Sequence, residues 1–332
     1  MVLFVVFPVS VSSGAKEGIT LWFYTVIPSL LPFMIFSTFM IKKNITRPIG
    51  RVSGPFLCRI FSMPVSCVYP AVIGFLSGYP VGAKVAGQMY LHGEIEKNEA
   101  QYLLSFCNNA SPMFLISYVG AECLHLQVPA EMFLFILLSA FLSSIYTRKK
   151  YHVTYLRSDR KKTKNRKRMQ KRAGRDADGI FEGEILKRPV LQEEHGRRKH
   201  TGISVIEALD ESIMDGFTTI TKIGGYILLF SILIRLIMDL VPIDHSLKYV
   251  GIGFLEITTG GMFFSKATID PWLKYSIFAG LCAFGGISSV FQTASVLEGT
   301  GLSVKEYVFA KLRQCVIAFL LSAGWFLLVR RR

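Results

Sequence analysis

Three polar stretches interrupt an otherwise apolar chain and hold the residue types that could do chemistry. The first, FLSGYPVGAK (75–84), resembles a phosphate loop at a glance. Such a loop needs four residues between its glycines and a Lys-Ser/Thr pair directly after the second. Here three residues separate Gly78 from Gly82, Ala83 precedes Lys84, and Val85 stands where a metal-binding hydroxyl should be. The spacing therefore argues against a nucleotide cradle. A lysine near the centre of a bilayer costs about 2.5–3.5 kcal/mol on insertion scales. Lys84 is thus expected to meet an anionic ligand, or an acid such as Glu256, unless its long stem snorkels to the interface. A helix opening near Val81 would aim free N–H groups at the same place, which favours a carboxylate or phosphate.

The second stretch, CNNASPMF (107–114), supplies donors and acceptors from Asn108, Asn109 and Ser111, and Pro112 frees backbone carbonyls nearby. Polar groups at mid-span are costly unless paired, so they read as solute or ion contacts, or as bonding between helices. The third, GFLEITTGG (253–261), sets Glu256 beside Thr258 and Thr259. An intramembrane carboxylate is a functional candidate: it could bind a cation, relay a proton or hold Lys84. Gln292, with Ser288 and Ser289, is a weaker candidate, and Arg235 and Asp239, four apart, read as a helix-surface pair. No HExxH, GxSxG or nucleophile–base pairing points to an enzyme, and no cofactor is implied. The six cysteines form no CxxC pair, so neither a disulfide framework nor a metal site follows.

The elements that must position these stretches are membrane helices. The 332 residues are 51% hydrophobic, and 19–41 and 102–120 carry no charge; a span needs roughly 20 apolar residues. Of the net charge of +15, +12 lies within 148–199. That run lacks apolar periodicity and is expected to be disordered and cytoplasmic, where its charge sets the topology; binding to anionic lipid headgroups is the functional alternative, and nucleic acid is not expected, since aromatics are not interleaved. Taking that loop as inside places 92–99 inside too. The 27 residues 65–91 are too few for two spans, so they must dip in and return as a re-entrant hairpin turning at GYPVG. A second hairpin is expected at about 272–298, turning at FGG (284–286) and entering from the opposite face. The fold class is therefore all-α: a polytopic helical membrane protein with two inverted-topology repeats. The repeats occupy 1–147 and 201–332, separated by the basic loop 148–200. Paired interrupted segments of this kind point to a transport site. The N-terminal 1–18 read as a shortened first helix, since no basic region precedes the apolar one.

GYPVGAK, CNNASPMF, the early LWFYTVIPSLLPFMIFS and GFLEITTGG together resemble the YlbJ-type sporulation integral membrane proteins, over about 19–146 and 216–325. Those belong to a group sharing a nucleoside-recognition or Gate domain with concentrative nucleoside transporters. The resemblance implies a bacterial, multi-pass protein of the cytoplasmic membrane or the mother-cell membrane around the forespore, linked to moving dipicolinate. On it Gly78, Tyr79, Pro80, Gly82 and Lys84 form one tip of a solute pocket, completed by Asn108, Asn109, Ser111, Glu256 and Gln292. The expected function is secondary transport or facilitation of a small anionic solute. The alternatives are a nucleoside or cation carrier and a non-transporting scaffold. The partner is a small-molecule solute, and the oligomeric state stays open, a homo-oligomer included.

Overall fold

The computed structural model describes residues 2–43, 45–126, 130–153, 204–241 and 246–330, and all regular elements among them are helical. Among the described residues, five helical stretches are long and apolar enough to cross a membrane, or six if one bent pair counts as a span. The expected basic loop falls mostly outside the described residues; 148–151 are the last turn of a helix.

Two very long stretches form a strut. A short α1 (Val2–Val6) leads to α2 (Pro8–Leu21), which runs through a π-helical turn (Trp22–Val26) into α3 (Ile27–Lys42). Together they make one 35-residue span, Pro8–Lys42. Residues 8–18, expected to belong to a shortened first helix, are thus continuous with the first span, and 2–6 form the short α1 before it. Pro8 opens α2 at its first turn, where its missing N–H costs nothing. The partner rod is α9 (Val205–Leu240), 36 residues; at 1.5 Å per residue it measures about 54 Å. Small residues let the two approach closely. A Cβ on Gly14 would sit 2.8 Å from Ile232 Cα, and one on Gly224 would fall 2.5 Å from the Trp22 ring. The Trp22 indole donates to Ile220 O at 3.0 Å. Close backbone approach is how helices associate where no hydrophobic drive exists between them.

Against this strut sits an order of elements that occurs twice: a helical hairpin, an interrupted helix, then a long helix. In the first set α4 (Thr46–Phe61) precedes α5 (Val68–Ser77) and α6 (Val81–Leu91), which fold back on each other. The chain bends by 102° between 54–61 and 65–77. Next come α7 (Lys97–Leu104), an unwound stretch through 105–111, a π-helical segment (Phe114–Cys123), and α8 (Ala130–Tyr151). In the second set α10 (Ser246–Leu255) and α11 (Ile257–Ser265) fold back on each other. Then come α12 (Pro271–Phe284), α13 (Gly286–Val296) and α14 (Val304–Trp325).

The hairpin at 65–91 is present as expected, but the one expected at 272–298 is not. Residues Pro271–Val296 form one interrupted stretch of 26 residues, long enough to span. The folded-back pair lies earlier, at 246–265, and its arms touch through glycine: a Cβ on Gly260 would fall 2.3 Å from Ile252 O. The first hairpin crosses the same way, with the Cβ position of Gly82 only 2.8 Å from Gly74 Cα. FGG is instead a kink, where Gly285 and Gly286 adopt φ of +89° and +82°, conformations that side chains disfavour.

Candidate functional site

The first hairpin tip is built on the unwound stretch of its own set. Gly78 has φ +85°, and a Cβ there would lie 2.8 Å from Ser111 N. Cβ atoms on Gly74 and Gly82 would meet Cys107 O at 2.1 and 2.7 Å. Three glycines therefore let a hairpin press its backbone on the 107–111 backbone. The Tyr79 N–H donates to Asn109 O at 2.6 Å, and the Ala83 N–H donates to Asn108 Oδ1 at 3.3 Å. Pro80 caps α6 and follows a cis peptide bond.

That arrangement changes the roles expected for several residues. The first N–H groups of α6 have protein acceptors: Gly78 O takes those of Val81 and Gly82, Pro80 O that of Lys84, and Asn108 Oδ1 that of Ala83. No free donor set faces an anion there. Lys84 does not reach Glu256. Its Nζ donates to Asp215 Oδ2 and Thr219 Oγ1 of α9, each at 2.7 Å, and Thr38 of α3 donates to the same carboxylate oxygen at 3.0 Å. Lys84 is a tie between the first hairpin and the strut, not a residue of the pocket described below.

Asn108 and Asn109 likewise spend their amides on protein. Asn108 Nδ2 donates to Thr293 Oγ1 and the Tyr307 hydroxyl, both at 3.0 Å. Asn109 Nδ2 donates to Phe106 O, and its Oδ1 accepts from Lys311 Nζ at 3.0 Å and Gln314 Nε2 at 2.7 Å. They splice the unwound stretch to α13 and α14. Lys311, Tyr307, Thr293 and Gln314 were not anticipated. The signal was available: Ser303-Val-Lys-Glu306 is a capping pattern, and Ser303 Oγ does accept the Glu306 N–H. It starts α14 early enough to put Lys311 and Gln314 on its buried face.

Glu256 sits at the tip of the second hairpin as the N-cap of α11. Its carboxylate accepts from Thr258 N at 2.8 Å, Thr258 Oγ1 at 2.6 Å and Thr259 N at 2.7 Å. An acid at a helix N-terminus meets orphan donors and the positive end of the dipole, which is how a carboxylate only 2% exposed is tolerated. The Tyr118 hydroxyl donates to Thr258 O, and Ser231 of α9 hydrogen-bonds Thr259 Oγ1, which fix this tip to the π segment and the strut.

The two sets meet at their interruptions. A Cβ on Gly285 would lie 3.1 Å from the Tyr79 ring, and one on Gly286 would lie 3.2 Å from Glu256 Cα. Between them is a pocket walled by Tyr79, Ser111, Phe114, Glu256, Ser289 and Gln292, closed on the strut side by Val26, Ser29, Leu30, Ile223 and Ile227. Of the expected site residues, Tyr79, Ser111, Glu256 and Gln292 line it. Gly78, Pro80 and Gly82 shape the tip, while Lys84, Asn108 and Asn109 do not wall it. The cavity is about 40 Å³, room for a few waters and not for a ring.

No family model and no solved structure matches the chain. The chain is similar to the sporulation integral membrane protein YlbJ of Bacillus subtilis strain 168, at 25% identity over 323 residues, 92% of this chain and 75% of that protein. That similarity over nearly the whole length supports the YlbJ-type assignment first carried by GYPVGAK, CNNASPMF and GFLEITTGG, and with the long apolar helices it makes this chain an all-helical integral membrane protein.

Proposed function

We propose that the chain is a carrier that moves a small, uncharged polar solute with a flat ring, of the nucleoside class, across a bacterial membrane. The observation that supports this best is the pocket where two interrupted elements touch, walled by hydroxyls, one amide and two aromatic rings. Discontinuous helices meeting in pairs are the usual construction of a transport site. The charge of the pocket supports an uncharged solute over an anion. Its walls include a carboxylate, Glu256, and no Lys or Arg, and Lys84 is engaged with Asp215. A dianion placed there would face like charge at short range, which disfavours it. The two repeats enter from opposite faces in this reading, with 148–200 and the C-terminus in the cytoplasm, and the membrane is the cytoplasmic one or that around the forespore.

A second reading, a small anion such as dipicolinate moved during sporulation, is favoured by one observation. The Lys311 ammonium lies directly behind the unwound stretch whose Ser111 walls the pocket. The experiment compares a nucleoside and dipicolinate in vesicles containing the purified protein. Saturable nucleoside accumulation, lowered at least tenfold by Gln292→Ala, is the expected result. Accumulation of dipicolinate alone would select the second reading. Accumulation of neither above protein-free vesicles would end the transport reading.

A further inference from the structure

Lys311 is 1% exposed, and its Nζ donates to three neutral oxygens: Asn108 O at 3.1 Å, Asn109 Oδ1 at 3.0 Å and Gln314 Oε1 at 2.9 Å. None of the ion pairs among the described residues includes it. A buried ammonium is ordinarily paired with an acid. Here its whole coordination is a backbone carbonyl and two amide oxygens, gathered at the unwound stretch that follows α7. Such a cage of neutral oxygens at an unwound helix is the chemistry that holds a monovalent cation.

We propose that Asn108, Asn109 and Gln314 form a monovalent-cation site that this chain fills with its own Lys311 ammonium, so that the unwound stretch is held without a bound metal ion. The geometry supports this in two ways. The oxygens come from two elements, the unwound stretch and α14, so a cation among them adds a further tie to the direct bonds from Asn108 to Tyr307 and from Gln314 to Asn109. The amides are also oriented for it: Asn109 Nδ2 points away to Phe106 O, and Gln314 Nε2 donates to Asn109 Oδ1, which leaves the oxygens facing Nζ. The oxygen distances suit an ion of ammonium or potassium size better than sodium.

The test reads melting of the purified full chain, with no solute, so it stands or falls apart from the transport reading. Chloride salts of ammonium, potassium, sodium and choline are compared at one ionic strength. The wild type is expected to melt at one temperature in all four. Lys311→Ala, which removes the ammonium and leaves its space, is expected to melt several degrees lower in choline and to regain most of that loss, saturably, in ammonium or potassium. Lys311→Met, which fills the space without charge, is expected to melt low in every salt. Equal melting of Lys311→Ala in choline, ammonium and potassium would overturn the proposal, and so would a wild type that responds as strongly as the variant. Should Lys311→Ala not fold in any salt, Gln314→Glu decides. It sets a carboxylate beside Nζ at the expense of the Asn109 bond, and melting at or above wild type is expected. Melting several degrees below wild type means that no cation is held there.

Discussion

Gly74→Ala is the sharpest test of how the first hairpin is built. The added methyl would lie 2.1 Å from Cys107 O and 3.1 Å from Cys107 Cβ. Ordinary contact for such atoms begins near 3.4 Å, so the hairpin must retreat by about 1.3 Å, against backbone and not against a flexible side chain. That retreat stretches the 2.6 Å bond from Tyr79 N to Asn109 O and moves Gly78 off Ser111. Overpacking costs about 1–3 kcal/mol where side chains can adjust; with backbone on both sides about 3 kcal/mol or more is expected. At about 2–4 °C per kcal/mol for a large domain, melting falls by roughly 6–12 °C. Gly225→Ala is the control. It is exposed on α9 with nothing within 4 Å of its Cβ position, so the same methyl raises helix propensity by up to about 1 kcal/mol. The assay is thermal melting of both purified variants beside wild type. If Gly74→Ala melted within a degree of Gly225→Ala, the hairpin would not be seated on 107–111 and the pocket geometry would be wrong.

Three further outcomes follow from the site. Lys84→Met strands Asp215 and should destabilise by about 1–3 kcal/mol, less than the 3–5 of a fully buried pair because Asp215 is partly exposed; adding Asp215→Asn should recover most of it and leave uptake intact, whereas uptake abolished in the double variant would return Lys84 to the solute site. Glu256→Ala should lower stability by about 0.5–2 kcal/mol as the α11 cap is lost, and denaturation showing no change would mean the carboxylate is not holding that helix. Tyr118→Phe removes one buried bond to Thr258 O and should cost about 0.5–1.5 kcal/mol, measured the same way.

How much was legible in the sequence depends on what each signal measures. Charge bias and chain length located the first hairpin, because 27 residues cannot cross twice. The same reasoning misplaced the second. Apolar, glycine-containing FGG reads like GYPVG, yet a reversal needs a close crossing of the two arms, and only Gly253 and Gly260 supply that. Gly285 and Gly286 merely interrupt. Glu256 is legible as an intramembrane acid, but its place beside Thr258 and Thr259 does not by itself show that it caps the turn those residues begin. Depth, the expected helix N-terminus and the GYPVGAK motif all point Lys84 toward a solute. Its partner, Asp215, is 131 residues away, and no local pattern announces a contact of that separation. Lys311 is hard to see because the uncharged apolar run starts only at Gln314, while the Ser303 cap begins the helix nearly two turns before Lys311.

The tie between Lys84 and α9 fixes what kind of motion the first hairpin can make. Its Nζ is pinned at Asp215 and Thr219, while the pocket faces Ile223 and Ile227 further along the same rod. Sliding by one turn would move the ammonium about 5.4 Å from both oxygens and is opposed by the pair. Pivoting about that pin is not. The tip, about one turn beyond Lys84, would then describe an arc, carrying the Tyr79 ring off Gly285 like a latch on a hinge.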